Sequence, residues 1–116
     1  MSENDHLRLA VNLVHERIAE AAEFTATRRE LTGIWRDAAA RLVFDSWRTS
    51  PPPDGEAAFA EWKGAQRLRL STRRLMRLRL ALEGVGVHCE PSLERLSDGT
   101  DTARIYRMWR DPEQAA

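Results

Sequence analysis

The spacing of apolar residues predicts a mainly helical protein, beginning with an N-terminal helix. Apolar or small side chains recur in steps of three and four from Leu7 to Thr25, which is the period of one face of an α-helix. The glutamates of the same segment fall on another face. We therefore predict a first helix over residues 5–25.

A second helix is predicted to begin at Thr27. The tetrapeptide TRRE has the form of a capping box, in which the Thr27 hydroxyl and the Glu30 carboxylate bond free backbone amides of the first turn. The alternative is one long helix over residues 5–48, because Gly33 alone discourages helix continuation between residues 25 and 33.

The sequence SPPPDG at residues 50–55 predicts the end of this helical region, because consecutive prolines remove amides and force an extended backbone. Asp54 can cap the next helix, and Glu56 would then lie at the positive end of its dipole.

Whether that helix stops near Leu70 is open. Ser71 is a good N-cap, and Leu75, Leu78 and Leu82 would form an apolar stripe after it. Against a break, LRLS contains neither glycine nor proline, so residues 55–83 could also form one straight helix. With a break, Arg73, Arg74 and Arg77 lie together on the side opposite the stripe, and Arg79 lies near the stripe and could pair with Glu83.

The sequence pattern of the C-terminal residues predicts a β-hairpin. Gly84 or Gly86 would end the helix in a left-handed conformation. Residues 85–89 and 103–109 alternate in polarity around a turn signal at 97–101, and Pro91 limits the first strand to an edge or a short piece. The fold class we expect is mainly α, with three or four helices followed by a small C-terminal β-hairpin.

Length and composition indicate one globular domain over residues 1–116, with residues 111–116 as a tail. The 116 residues are 42% hydrophobic and 31% charged, and no apolar run approaches the roughly 20 residues of a membrane span. The polar N-terminus does not resemble a signal peptide, and a single cysteine cannot form an internal disulfide. We expect a cytoplasmic protein with no membrane contact.

Charge is distributed unevenly along a neutral chain. Residues 1–62 carry a net charge of −4, residues 63–82 one of +7, and residues 83–116 one of −3. Six arginines lie between Arg67 and Arg79 without an intervening acid. Such a block suits an anionic partner, or neutralisation by acidic helices packed beside it.

No catalytic or metal motif is found. His88 and Cys89 are adjacent in a predicted strand and would point to opposite faces, which makes them a poor base–nucleophile pair. Glu16, Glu20 and Glu23 lack the histidine three residues later that di-iron bundles use. We expect no enzymatic activity, no metal and no cofactor.

The basic segment admits three interpretations. Its arginines form the solvated face of an amphipathic helix, or they bind nucleic acid, or a straight helix over 55–83 docks an acidic partner or a second copy of the chain. The order of elements over residues 27–110 resembles a winged helix-turn-helix DNA-binding domain, with LSTRRLMRLRLALEGVGV similar to its recognition helix and first wing strand. The sequence departs from that family in lacking a small turn residue between the two helices.

The resemblance implies a small DNA-binding protein, with DNA preferred over RNA. Arg73, Arg74 and Arg77 would face the major groove, Arg67 and Arg69 would meet phosphates, and Arg95 and Arg104 would lie near the wing. The alternative is a helical-hairpin adaptor that acts in a homodimer or a larger assembly. The N-terminal helix exceeds a minimal winged helix, and we expect it to mediate dimerisation.

Overall fold

The computed structural model describes residues 2–95 and 102–111. In that part of the chain the elements are α1 (Glu3–Ala21), β1 (Glu23–Thr27), α2 (Arg28–Ser46), α3 (Gly55–Gln66), α4 (Thr72–Gly84), β2 (Val87–Arg95) and β3 (Thr102–Arg110). The predicted fold class is confirmed, since four helices precede a C-terminal β-hairpin. The hairpin is joined by one strand that the sequence analysis did not anticipate.

That strand corrects the predicted helix over residues 5–25. Helix α1 is capped by the Ser2 side chain and ends at Ala22, whose backbone is left-handed with φ of 66°. The following residues are extended as β1, so Thr25 lies on a strand and not on a helical face. β1 pairs antiparallel with β3, which places Phe24 opposite Met108. The alternation of Phe24 and Ala26 with polar neighbours was the signal for this strand.

The predicted start of the second helix is confirmed. Thr27 accepts a hydrogen bond from the backbone N–H of Glu30, and the Glu30 carboxylate accepts one from the Thr27 backbone N–H, which completes the capping box. The chain therefore does not form one helix over residues 5–48, because β1 separates α1 from α2.

The helix after the prolines also begins where expected. The Asp54 carboxylate accepts a hydrogen bond from the Ala57 N–H at 2.8 Å, and Glu56 lies in the first turn of α3. Helix α3 ends at Gln66 and α4 begins at Thr72, so residues 55–83 do not form a single helix.

The three strands form an antiparallel sheet in the order β1-β3-β2. β2 is an edge strand, as expected for a strand that contains Pro91. Gly86, with φ of 83°, turns the chain from α4 into β2, whereas Val85 caps α4 and is not part of the strand. The predicted turn at 97–101 and most of the predicted tail lie outside the described residues.

The main core lies between the helices and one face of the sheet. Trp35 is 1% exposed at its centre, and α1 contributes its whole apolar face to the core through Ala10, Val11, Leu13, Val14 and Ile18. A smaller cluster joins α2 to α3 through Ala39, Ala40, Val43 and Ala65. Within residues 2–95 and 102–111, no helix is long and apolar enough to cross a lipid bilayer.

Candidate nucleic-acid interface

The break before α4 is held by two arginines of α2. Arg36 donates through Nε to the carbonyl of Leu68 at 2.8 Å, and Arg28 donates through Nη2 to the carbonyl of Leu70 at 2.9 Å. The carbonyls that a continuous helix would bond internally are thus bonded by side chains. This arrangement explains how the chain turns without a glycine or a small residue at that point.

The first turn of α4 is capped by Ser71, as the sequence predicts for the alternative in which the helix breaks near Leu70. The Ser71 hydroxyl accepts a hydrogen bond from the Arg74 backbone N–H at 3.2 Å. Leu70 just before it is buried, so the connection is anchored both by apolar packing and by hydrogen bonds.

Helix α4 packs its leucine stripe inward. Leu75, Leu78 and Leu82 are buried in the main core, as predicted. Arg73 and Arg77 lie on the opposite side and are exposed. Arg73 makes no hydrogen bond or ion pair with any other residue that the structure describes, so its guanidinium is available to a ligand.

Arg74 shares the Glu3 carboxylate with Arg77 but lies apart from Arg73 around the helix, which differs from the predicted grouping of all three. It occupies the flank of α4, about 100° further round the helix from Arg73, and is half-buried against α1 and α2. Its Nη1 donates to the carbonyl of Arg69 at 2.9 Å, and its guanidinium lies 5.8 Å from the ring centre of Trp35. Arg74 therefore has a structural role in fixing the turn.

A carboxylate of α1 partly neutralises the basic helix. Glu3 Oε1 lies 3.4 Å from Arg77 Nη1 and 3.6 Å from Arg74 Nε. Both pairs are substantially exposed, and such pairs contribute only about 0–1 kcal/mol. The pairing with Arg77 is therefore weak enough for a phosphate to replace Glu3.

The other predicted contact residues lie at separate places. Arg67 caps the C-terminus of α3 and Arg69 lies in the turn, and both side chains are exposed. Arg104 is exposed on β3, opposite Leu93 of β2. The backbone of Arg95 pairs with Thr102 at the end of β2, but its side chain lies outside the described part of the structure.

Two features of this surface were missed by sequence reasoning. Met76 and Leu80 are 51% and 60% exposed beside Arg73 and Arg77, so the outward face of α4 is both apolar and basic. The first turn of α2 also reaches this region, since Arg28 Nη2 donates to Thr72 Oγ1 at 3.3 Å. Helical spacing places Met76 and Leu80 away from the leucine stripe, and this signal was available in the sequence.

Arg79 forms a hydrogen bond with strand β2 and not an ion pair with Glu83. Its Nη2 donates to the carbonyl of Cys89 at 3.4 Å, which ties α4 to β2. Burial raises the pKa of the Cys89 thiol, so this cysteine is protonated and unreactive near neutral pH.

His88, next to Cys89, forms a contact at the surface. His88 is exposed and Cys89 is buried, which confirms that they point to opposite faces of β2. His88 Nε2 lies 2.9 Å from Asp111 Oδ2, and this carboxylate raises the pKa of His88. No cluster of three His, Cys, Asp or Glu side chains able to hold a metal ion occurs in the described ranges.

The tryptophans do not all pack in the core. Trp35 is fully buried, and Trp47 and Trp109 are half-buried. Trp62 is 38% exposed on α3.

Comparisons of the chain with protein-family models, with curated proteins and with solved structures find no match.

Proposed function

We propose that this protein binds double-stranded DNA through the outward face of α4. The observation that carries the proposal is the separate start of α4 at a capped, clamped turn, with Arg73 and Arg77 exposed on the side away from the core. The residues from Lys63 to Leu82 include no acidic side chain, so Glu3 of α1 is the carboxylate that the described ion pairs bring to this face.

The chemistry of the face suits a duplex. The major groove of B-DNA admits an α-helix, whereas the major groove of A-form RNA is too narrow for side chains to read. An arginine fork bonds phosphate, or the O6 and N7 atoms of guanine, with two hydrogen bonds. Arg73 and Arg77 would enter the groove, and Arg67 and Arg69 would bond the phosphates that flank it.

The hairpin supplies a second contact in this proposal. The contact between Arg79 and the Cys89 carbonyl holds β2 against α4, and Arg104 is exposed further along the hairpin. Arg104 and Arg95 would meet the backbone beside the groove. The order α3, turn, α4, β2, β3 supports the resemblance to winged helix-turn-helix domains, with β1 completing the sheet.

Binding to a labelled mixed-sequence duplex, measured by fluorescence anisotropy over a salt series, tests this function. Each phosphate neutralised contributes about −0.9 to the slope of log K against log salt concentration. Contacts from all six arginines therefore predict a slope of about −5. An absence of binding at low salt would contradict the proposal.

A second candidate function is docking to an acidic protein. Met76 and Leu80 favour it, because large apolar side chains beside arginines are typical of protein interfaces. Replacing both by glutamine distinguishes the two functions. The double variant keeps most of its duplex affinity if α4 binds phosphates, and loses partner binding if α4 docks to protein.

We also propose that the protein is non-enzymatic and cytoplasmic. The buried Cys89 thiol supports the second point, since a single reduced cysteine is typical of a reducing compartment. Extracellular export of the full chain in its native host would contradict it.

A further inference from the structure

Helix α1 has no apolar side left for the dimer contact expected of it. Its five buried residues all pack in the main core of the same chain. The remaining exposed positions of α1 are mostly polar or charged. A contact between two copies of this protein would therefore use a different surface.

The outward face of α3 is the most aromatic exposed surface in the described residues. Phe59 is 55% exposed and Trp62 is 38% exposed, and their ring centres lie 5.9 Å apart. Lys63 Nζ lies 5.3 Å from the centre of the Phe59 ring. Two adjacent aromatic side chains left in water on a well-formed helix indicate an interaction surface.

α3 is attached to the rest of the molecule on its other side. Ala65 is its one fully buried residue, and it packs in the small cluster with α2. Trp47, the residue that caps the C-terminus of α2, donates through Nε1 to Glu61 Oε2 at 2.9 Å. This anchoring fixes α3 in place and leaves Phe59 and Trp62 pointing outward.

The charges on the outward face are self-complementary. Glu56 and Lys63 lie seven residues apart, two turns along the same face, with Phe59 between them. Neither forms an ion pair with another residue in the described part of the chain. When two such helices pack antiparallel about a two-fold axis near Phe59, Glu56 of each helix lies level with the partner's Lys63, and the two Phe59 rings meet at the axis.

We propose that the outward face of α3 docks against α3 of a second copy of this chain in an antiparallel, two-fold symmetric dimer. The occupant is a second copy because the charge pattern of the face matches its own reverse. The proposal does not depend on DNA binding, since α3 and the outward face of α4 are separate surfaces.

The size of the face sets the strength of the contact. Phe59 and Trp62 together expose about 200 Å² of aromatic surface per chain, given side chains of this size. A 12-residue helix presents less area than the roughly 800 Å² per partner of a standard interface. The dimer is therefore weak, with an expected dissociation constant of roughly tens to hundreds of micromolar.

Sedimentation equilibrium of the full chain from about 5 to 500 μM tests the dimer when it is applied to the wild type and to variants in which the charges at positions 56 and 63 are reversed. The variants Glu56→Lys and Lys63→Glu each place like charges opposite one another and each reduces self-association at least several-fold. The double variant Glu56→Lys/Lys63→Glu restores it. An equimolar mixture of the two single variants also associates, because each supplies the charge that the other lacks.

Two controls separate the contact from effects on folding or net charge. Arg17→Glu changes the net charge as Lys63→Glu does but lies on α1, and it leaves the association constant unchanged. Helicity measured by circular dichroism identifies any variant that unfolds, and Phe59→Ser gives an independent loss of association. A wild-type chain that is monomeric over the whole range, or a double variant and mixture that fail to recover association, would overturn the proposal.

Discussion

At the scale of single residues, helix ends determine where the elements of this protein lie. Ser2, Thr27, Asp54 and Ser71 each cap a helix by accepting a backbone hydrogen bond. Each cap contributes about 1 kcal/mol and stops the helix from extending further toward the N-terminus. The starts of the four helices thus follow from four side chains that are visible in the sequence.

Ala22 is the one helix end with an unfavourable residue. An alanine in the left-handed conformation costs about 1–2 kcal/mol relative to a relaxed backbone, and glycine avoids most of this cost. We expect Ala22→Gly to raise the free energy of unfolding by about 1 kcal/mol in urea denaturation. The control Ala19→Gly lies inside α1 and should lower the free energy of unfolding by about 1 kcal/mol. A loss of stability in both variants would contradict the assignment at Ala22.

His88 and Asp111 predict a pH-dependent contribution to stability. The Asp111 carboxylate raises the pKa of His88 above its ordinary value of 6.5. A raised pKa stabilises the folded chain below pH 6.5, and this contribution is lost as the pH rises through the folded-state pKa. Asp111→Asn should therefore lower stability at about pH 5.5 and leave it unchanged at about pH 9.

NMR titration of the His88 ring protons checks this directly. The pKa of His88 should fall toward 6.5 in the Asp111→Asn variant. The pKa of His15, which burial lowers and which Asp111 does not affect, provides the internal reference. An unchanged His88 pKa would show that the pair does not form.

At the scale of elements, the turn between α3 and α4 depends on side chains from another helix. Arg36→Met keeps the aliphatic part of the side chain and removes the hydrogen bond to the Leu68 carbonyl. We expect a loss of about 1–2 kcal/mol in the free energy of unfolding, measured in urea. Arg41→Met on the same helix removes only an exposed ion pair of 3.9 Å with Glu16 and should change stability by less than about 0.5 kcal/mol. Equal effects of the two substitutions would refute the role of Arg36.

The same turn shows how far local patterns can predict the fold. The caps at Thr27, Asp54 and Ser71, the leucine stripe of α4 and the hairpin follow from spacing and residue type, and the structure confirms them. The clamp by Arg28 and Arg36 does not, because it joins residues more than 30 positions apart. β1 was missed for a related reason, since a five-residue strand is stable only when paired with β3.

The candidate interface was predictable in outline but not in detail. The positions of Arg73 and Arg77 follow from helical geometry. The flank position of Arg74 also follows from helical geometry, because consecutive residues lie about 100° apart. Its contacts with Glu3 and Trp35 depend on where α1 and α2 pack. The exposure of Phe59 and Trp62 was likewise not predictable, because it follows from the packing of α3 against α2 through the small residue Ala65.

At the scale of the whole molecule, a neutral chain presents a basic surface because its acidic residues lie mostly elsewhere in the sequence. The segments of net charge −4 and −3 flank the segment of +7, and Glu3 is the acidic side chain that the described contacts bring to α4. Replacing it by glutamine removes this neutralisation. We expect Glu3→Gln to increase duplex affinity by about two- to five-fold at low salt, measured by anisotropy. A decrease in affinity would show that Glu3 positions Arg77 for binding.

The measurement that tests the central claim most directly compares two double variants in the duplex-binding assay. Arg73→Ala/Arg77→Ala removes the exposed guanidinium groups of α4 and leaves Arg74 to hold the turn. Arg17→Ala/Arg41→Ala removes the same charge from exposed positions on α1 and α2. We predict that the α4 variant loses at least ten-fold in affinity and that its salt slope becomes smaller by about 2, while the control variant stays close to wild type. Equal losses in both variants would show a non-specific charge effect, and binding by the α4 variant as tight as wild type would contradict the assignment of α4 as the DNA-binding helix.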